Sequence, residues 1–385
     1  MQVILAALVV LLAAGAANFI IDPMGVFFAA RLPGVNTYKP EILNYWRTAL
    51  PLRAHLVRPQ TAVLGSSRVL YGIDTGDAQL LGPDAFNLGL PAATLCDIED
   101  AYEIALAGGR LQRIVIGLDF FAANARRIGP DCGVGELRHQ PRLALAKTLF
   151  SSGTLNAAQK TVTKQRRVDA SIWQPSASGT AWLPPGHIAR RGGAHKMFLE
   201  VEDIYARDYF LLAPACDFRF GSPADPEAAL GHLRRVLASA HAHGVAVRLF
   251  FSPEHARLLG LIEATGLMGR YVEWMGAVAR INAEEARKAG KAVPALTAHF
   301  AADAINEPLP PREDMGFAMR WFLDSSHYTP ALGRRVLEEP AAIAQAQRDA
   351  AVIRERIAAY FMAHPAERAE IDAAAARARE RCAGR

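Results

Sequence analysis

Hydrophobic positions fall into three regimes along the chain. The first is continuous: Val3 to Ile21 is nineteen residues without a charge, a length that crosses roughly 30 Å of hydrocarbon as a helix. The second is a set of short apolar runs, Thr61 to Leu64, Ala85 to Leu88, Arg113 to Leu118 and Val245 to Phe251, each followed by a helical pattern or a loop. Such runs read as buried strands, and strands alternating with helices predict a parallel sheet covered on both faces. Val293 to Phe300 predicts a fifth strand, which Pro294 places at an edge. The third regime is helical. Pro226 to His243 is an amphipathic helix leading into the fourth strand, Ala256 to Gly290 supplies two more helical segments, and the Ala, Arg and Glu rich tail predicts helices over Pro340 to Ala363 and Ala366 to Cys382.

Two stretches interrupt this alternation. Asp22 to Pro59 carries prolines at 23, 33, 40, 51 and 59 and predicts a stem, with a helix around Glu41 to Leu50, that spaces the main domain from a bilayer. Residues 125–225, rich in Gly, Pro and Ser, are too long for a plain loop. They predict either an insertion capping the C-terminal edge of the sheet, where α/β proteins place ligands, or a surface excursion. Within them, His187, His195, Trp173 and Trp182 are candidates to stack on a sugar ring, beside Pro184-Pro185 and Arg190-Arg191-Gly192-Gly193. The expected division is an anchor or export signal at 1–22, a stem at 23–60, an α/β domain at 61–340 and a helical segment at 341–385.

Composition narrows the class. At 51% hydrophobic residues the chain is not disordered, and its 43 basic and 38 acidic residues are interspersed, so no nucleic-acid footprint is present. The N-terminal span has two readings. No Lys or Arg precedes it, which argues against a cleaved signal, yet Ala14-Gly15-Ala16 resembles a cleavage site. Arg31, Lys39, Arg47 and Arg53 follow it, and the positive-inside rule then conflicts with export of the main domain. Cys96, Cys132, Cys216 and Cys382 lack C-x-x-C spacing, which excludes a zinc cluster or a thioredoxin-type motif. In an oxidising compartment Cys132 to Cys216 is the first pair to test, with free thiols as the alternative. No paired-His motif, carboxylate cluster or dinucleotide fingerprint calls for a metal or cofactor.

Chemistry concentrates at two places. Val63-Leu64-Gly65-Ser66-Ser67-Arg68 places two hydroxyls where a strand gives way to a helix, and Ser67 is the candidate nucleophile. A serine needs a base to take its proton and a carboxylate to orient that base. Asp324 and His327, three apart in Leu323-Asp324-Ser325-Ser326-His327-Tyr328, share one face of a turn. Arg68 is a candidate for binding a carboxylate or a sugar acid, with a structural salt bridge as its alternative. His255, in Ser252-Pro253-Glu254-His255 after the fourth strand, is a candidate to line the site.

With these blocks in the order Ser, Asp, His, the chain resembles the SGNH (GDSL-type) hydrolase superfamily over about residues 61 to 340, particularly its membrane-anchored, envelope-associated branch. The resemblance implies a flavodoxin-like three-layer α/β fold with Ser67, Asp324 and His327 as a catalytic triad. Gly65-Ser66-Ser67 matches the family's Gly-Asp-Ser turn with Ser66 in place of Asp, and the Ser67 amide then shares an oxyanion hole. Gly89 in Phe86-Asn87-Leu88-Gly89-Leu90 matches the oxyanion glycine. The third block departs: Gly117-Leu118-Asp119-Phe120 has Asp119 where the family has a donating Asn, and an ionised carboxylate cannot donate. Asn124, Asn87 or a protonated Asp119 are the candidate replacements.

By that resemblance the protein is expected to be a single-pass inner-membrane protein with a periplasmic serine esterase or O-acyltransferase domain. Its substrate would be acyl groups, foremost acetyl, on an envelope or secreted polysaccharide, and a membrane-bound acyltransferase is an expected partner. The competing expectation is a silent domain of the same fold that binds polymer or joins an export complex.

Overall fold

The computed structural model describes residues 1–129, 132, 140–167, 175–184, 186–338 and 350–383. Trp173, Pro185 and the expected helix start at Pro340 lie outside them. Five strands, β1 (Thr61–Ser66), β2 (Ala85–Leu90), β3 (Arg113–Leu118), β4 (Ala246–Phe251) and β5 (Ala295–Thr297), form one all-parallel sheet in the order β2-β1-β3-β4-β5. β1 and β2 are buried along their whole length, which is why they read as unbroken apolar runs rather than alternating ones. Among the described residues the edge strand β5 pairs only with β4, and Pro294 lies just before it.

The strand order reverses direction at β1. Right-handed crossovers then put the β1–β2 connection on one face of the sheet and the later connections on the other. Contacts agree: α4 (Leu95–Ala107), α8 (Ala228–Ala242) and α10 (Met268–Lys288) pack side by side, whereas α3 (Ser67–Gly72) packs with α11 (Pro330–Glu338). The same reversal opens a crevice beyond the C-terminal ends of β1 and β3, where doubly wound sheets bind ligands. Ser67 lies at its β1 side and Asp119 at its β3 side.

The N-terminal helix α1 (Gln2–Ile21) is long and apolar enough to cross a membrane and stands mostly exposed. The expected stem is not a spacer. α2 (Ile42–Val57) buries Trp46, Ala49, Leu50 and Leu52 against β2 and α4, so this segment belongs to the domain core. The expected helix around Glu41 to Leu50 is present and runs on through Pro51, which sits on its inward face.

The 125–225 region divides its work. α5 (Pro141–Phe150) and α6 (Ser152–Lys164) pack on α1, whereas the later part, including α7 (Ala194–Ile204), reaches the crevice. α9 (Ala256–Ala264) carries the C-terminal helices α12 (Ala350–Ala363) and α13 (Pro365–Ala383). The disulfides join Cys96 to Cys132 and Cys216 to Cys382, which corrects the expected Cys132–Cys216 pair. Cys216 instead receives the C-terminal helix, an arrangement that depends on tertiary packing alone.

Candidate active site

The nucleophile turn is built by close packing. Gly65 has φ 154°, and a Cβ there would lie 2.5 Å from the Val69 side chain and 2.9 Å from the Gly117 carbonyl, so only glycine lets α3 start this close to β3. Ser66, in extended conformation, caps that helix: its hydroxyl accepts from the Arg68 amide at 3.1 Å. Ser67 is therefore the first helical residue, where a backbone N–H has no intrahelical acceptor.

The base arrives from the other end of the chain on a tight loop. Leu323 N–H donates to the His327 carbonyl at 2.7 Å and Thr329 N–H to the Trp321 carbonyl at 2.9 Å. Inside this loop Asp324 Oδ1 accepts from the amides of Ser326 and His327, both at 2.8 Å, and Oδ2 accepts from His327 Nδ1 at 2.7 Å. With the ring proton on Nδ1, Nε2 is left as an acceptor. It stands 2.8 Å from Ser67 Oγ, and Tyr71 packs edge-on against the imidazole with 5.3 Å between ring centres. Burial alone would push the Asp324 carboxyl up, but the neighbouring His327 and the hydrogen bonds from His327 and Ser326 outweigh it and hold the group below the usual carboxylate range. Burial and nearby Asp324 raise the Tyr71 phenol, which stays neutral.

Ser67 and His327 open into a cavity of about 480 Å³ whose apolar wall includes Leu43, Leu183, Met197, Val201 and Tyr209. His187 and Arg191 also line it. Burial and the neighbouring Arg191 and Arg190 push the His187 imidazole down, so it faces the cavity neutral.

The loop after β2 supplies a backbone feature absent from the sequence reading. Ala92 lines the cavity with φ 56°, a conformation costly for a residue with a Cβ. Two arginines hold it there. Arg47 donates to the Pro91 carbonyl at 2.7 Å, and Arg127 donates to the Ala92 carbonyl at 2.8 Å. Because C=O and N–H point opposite ways across a trans peptide, fixing the Pro91 carbonyl on Arg47 turns the Ala92 N–H to the other side. Among the described residues no hydrogen bond engages that N–H.

Of the expected site residues, Ser67, Asp324 and His327 are brought together, and the others are not. Gly89 N–H donates to Asn87 Oδ1 at 2.9 Å, so it is not a waiting oxyanion donor. A Cβ on Gly89 would lie 2.6 Å from the Leu70 amide nitrogen, and its role is close packing of β2 on α3. Asn87 Nδ2 donates to the Val69 and Ile73 carbonyls at 3.0 and 2.9 Å. Asn124 is buried, donating to the Tyr209 carbonyl at 3.0 Å and accepting from the Arg126 amide at 3.1 Å.

His255 is also buried away from the cavity. Its Nε2 meets the Glu307 carbonyl at 2.7 Å, and its Nδ1 accepts from the Arg257 amide at 3.2 Å. Burial pushes this imidazole down to about 3, which leaves it neutral.

Arg68 is fully buried rather than presented to substrate. It bonds Asp119 at 2.9 Å, Glu254 at 3.1 Å, the Ser252 carbonyl at 3.2 Å and the Ser326 carbonyl at 3.0 Å. Asp119 has no contact with the cavity and serves as a counter-ion of Arg68. Burial raises the Glu254 carboxyl despite Arg68 beside it.

His195 bonds Glu370 at 3.1 Å instead of lining the cavity. Trp182, a candidate sugar platform, is 43% exposed and does not line it either. Tyr71 was within reach of sequence reasoning, since it lies four residues after Ser67 on the same helical face. Arg47 and Arg127 carried no local signal. Among the described residues, Cys96, Cys132 and His232 lie at metal-ligand distance, but the cysteines are bridged and His232 bonds Glu99 at 2.6 Å. No family model matches the chain, and neither a curated protein nor a solved structure matches it.

Proposed function

We propose that this chain is a membrane-tethered serine esterase or O-acyltransferase of SGNH type. The observation that carries the reading is the relay Ser67 Oγ, His327 Nε2, His327 Nδ1, Asp324 Oδ2, with successive polar contacts of 2.8 and 2.7 Å. The strand order and the position of Ser67 at the β1/β3 crevice support the flavodoxin-like, SGNH-type assignment.

In this mechanism Ser67 Oγ attacks an acyl carbonyl while His327 Nε2 takes its proton. The tetrahedral oxyanion accepts from the amides of Ser67 and Ala92, the latter replacing Gly89. Collapse breaks the ester C–O bond, and His327 returns the proton to the departing alkoxide. The acyl group left on Ser67 is then taken by water, giving hydrolysis, or by a sugar hydroxyl, giving transfer. Asp324 stays ionised throughout and holds the ring.

An acyl group, foremost acetyl, on an envelope or secreted polysaccharide is the proposed substrate, with the domain in the periplasm and a membrane-bound acyltransferase as partner. The test is turnover of p-nitrophenyl acetate by the full chain, in the presence and absence of acetylated and deacetylated polysaccharide. Ester cleavage that is lost in Ser67→Ala and His327→Ala supports the reading.

A second reading is favoured by one observation: Asp119, at the position of the usual side-chain oxyanion donor, is locked to Arg68. A domain left with backbone donors alone would bind polymer without acting on it. Polysaccharide binding with no ester turnover and no acyl transfer would select that reading.

A further inference from the structure

The N-terminal helix is not free along its length. At 1.5 Å per residue the twenty residues of α1 span about 30 Å, which is the full thickness of the hydrocarbon. One face of its last two turns is covered by the α5–α6 hairpin, while Phe19 and Ile20 stay exposed. Gly15 and Asn18 are buried, and a Cβ on Gly15 would meet the Phe150 ring at 2.5 Å. Asn18 Nδ2 donates to the Leu149 carbonyl at 2.8 Å and the Ser151 carbonyl at 3.4 Å, at the end of α5 and in the turn that follows it. Measured down the axis from Asp22, the residue that ends α1, Asn18 and Gly15 lie about 6 and 10 Å deep. The stretch before Gly15 measures about 20 Å, too short to cross on its own.

The hairpin is dressed for that depth. Leu143, Phe150 and Leu155 are 43%, 38% and 40% exposed, and Leu143, Ala146 and Phe150 form an exposed stripe at helical spacing along α5. Arg142, Lys147 and Lys160 on the same two helices have exposed side chains suited to headgroup phosphates. The polar carbonyls of the turn are not left bare in hydrocarbon, since Asn18 supplies their donor.

We infer that the α5–α6 hairpin is a second membrane element whose turn enters the headgroup–acyl boundary of the leaflet next to the catalytic domain. The inference rests on the reading that α1 crosses the bilayer. Its occupant is lipid rather than protein, because the surface is continuous with the span and shares its depth, about 5–10 Å, with interfacial helices. The hairpin also fixes where the active site stands. At the far end of α6, Gln165 bonds both backbone groups of Tyr38 at 3.1 and 2.7 Å and Lys164 bonds Glu41 at 2.5 Å. Leu43, two residues beyond Glu41, lines the cavity.

The test places an environment-sensitive fluorophore on the full chain, disulfides intact, in phosphatidylcholine–phosphatidylglycerol vesicles. The label goes separately on Phe150→Cys, Leu155→Cys, Val9→Cys for the mid-span and Lys291→Cys for an exposed loop. Lipids spin-labelled high or low on the acyl chain report depth, and iodide reports water.

Positions 150 and 155 are expected to be quenched about threefold more by the shallow spin label than position 291, and shielded from iodide, with position 9 quenched best by the deep label. The inference is overturned if 150 and 155 respond to iodide as 291 does while 9 is lipid-quenched. It is equally overturned if they are shielded from both quenchers, which means that protein covers them. If position 9 escapes both lipids, the spanning helix is refuted and the hairpin inference falls with it.

Discussion

Arg68 Nε donates to the carbonyl of Ser326 at 3.0 Å, so the residue after the nucleophile holds the loop that presents the base. The same guanidinium bonds Asp119 and Glu254, and thereby ties the ends of β1, β3 and β4 to the 324–327 loop. Burial opposes its charge, but the two carboxylates outweigh that and keep it protonated. Arg68 is a positioning residue, with no surface toward substrate.

Removing its charge strands two buried carboxylates. Arg68→Met is expected to lose about 3–5 kcal/mol of stability in urea unfolding. Arg68→Lys keeps the charge but not the fork of donors. It should fold and lose about ten- to hundredfold in kcat with KM little changed, as a misplaced base does. Equal activity of Arg68→Lys and wild type would remove Arg68 from the account.

The Ala92 amide makes a separate claim. Glycine accepts φ 56° without a Cβ penalty, so Ala92→Gly should retain ester turnover and unfold at the same or a slightly higher temperature. Arg47→Met frees the Pro91 carbonyl, the other end of the peptide that carries the Ala92 N–H. If that amide donates to the oxyanion, kcat should fall toward the about 10²–10³-fold loss of a missing donor. Unchanged kcat in Arg47→Met would assign the oxyanion to other groups.

His255 gives the fold a pH dependence of known sign. Its imidazole ordinarily titrates at 6.5 and is pushed down to about 3 in the folded chain by burial. Between those values the unfolded chain binds the proton that the folded chain refuses. The stability this provides is full above pH 6.5 and is lost as pH falls toward 3, with a limiting slope of about 1.4 kcal/mol per unit. Thermal melts from pH 7 to 4 should show that slope, and His255→Asn should flatten it.

The Cys216–Cys382 bridge closes 166 residues, for which chain entropy sets an upper limit of about 5 kcal/mol. Cys216→Ser with Cys382→Ser should lower the melting temperature by several degrees. Ester turnover at 25 °C should be unchanged, because neither cysteine lines the cavity.

What sequence could show here was decided by the range of the interaction. β1 to β3 were legible because strands buried on both faces leave continuous apolar runs, and β4 by the apolar run of its buried second half. Ser67, Asp324 and His327 were legible because each is marked locally, by a strand-end turn or by spacing three. Side chains whose work is done across the fold left no such mark. Arg68 was open between a substrate ligand and a structural salt bridge, and Asp119, Glu254 and Ser326 around it decide for the salt bridge, while His255, a candidate to line the site, is closed over by Phe198, Phe322 and Tyr360 at ring separations of 5.0 to 5.1 Å. The donor after β2 was expected at Gly89, yet the unbonded amide lies three residues on at Ala92, where no glycine signals the left-handed conformation. The helix α2 was legible over Glu41 to Leu50, but its place in the core was not, because the prolines around it suggested a stem.

The central claim is that Ser67 is a nucleophile activated by His327. Its most direct measurement is the site of labelling by a serine-directed fluorophosphonate on the folded full chain, read by peptide mass spectrometry. The account predicts stoichiometric phosphonylation at Ser67, abolished in Ser67→Ala and in His327→Ala, and slowed by about 10⁴ in Asp324→Asn if labelling follows catalysis. A folded wild-type chain that takes no label at Ser67, or a His327→Ala chain that labels as fast as wild type, would contradict it.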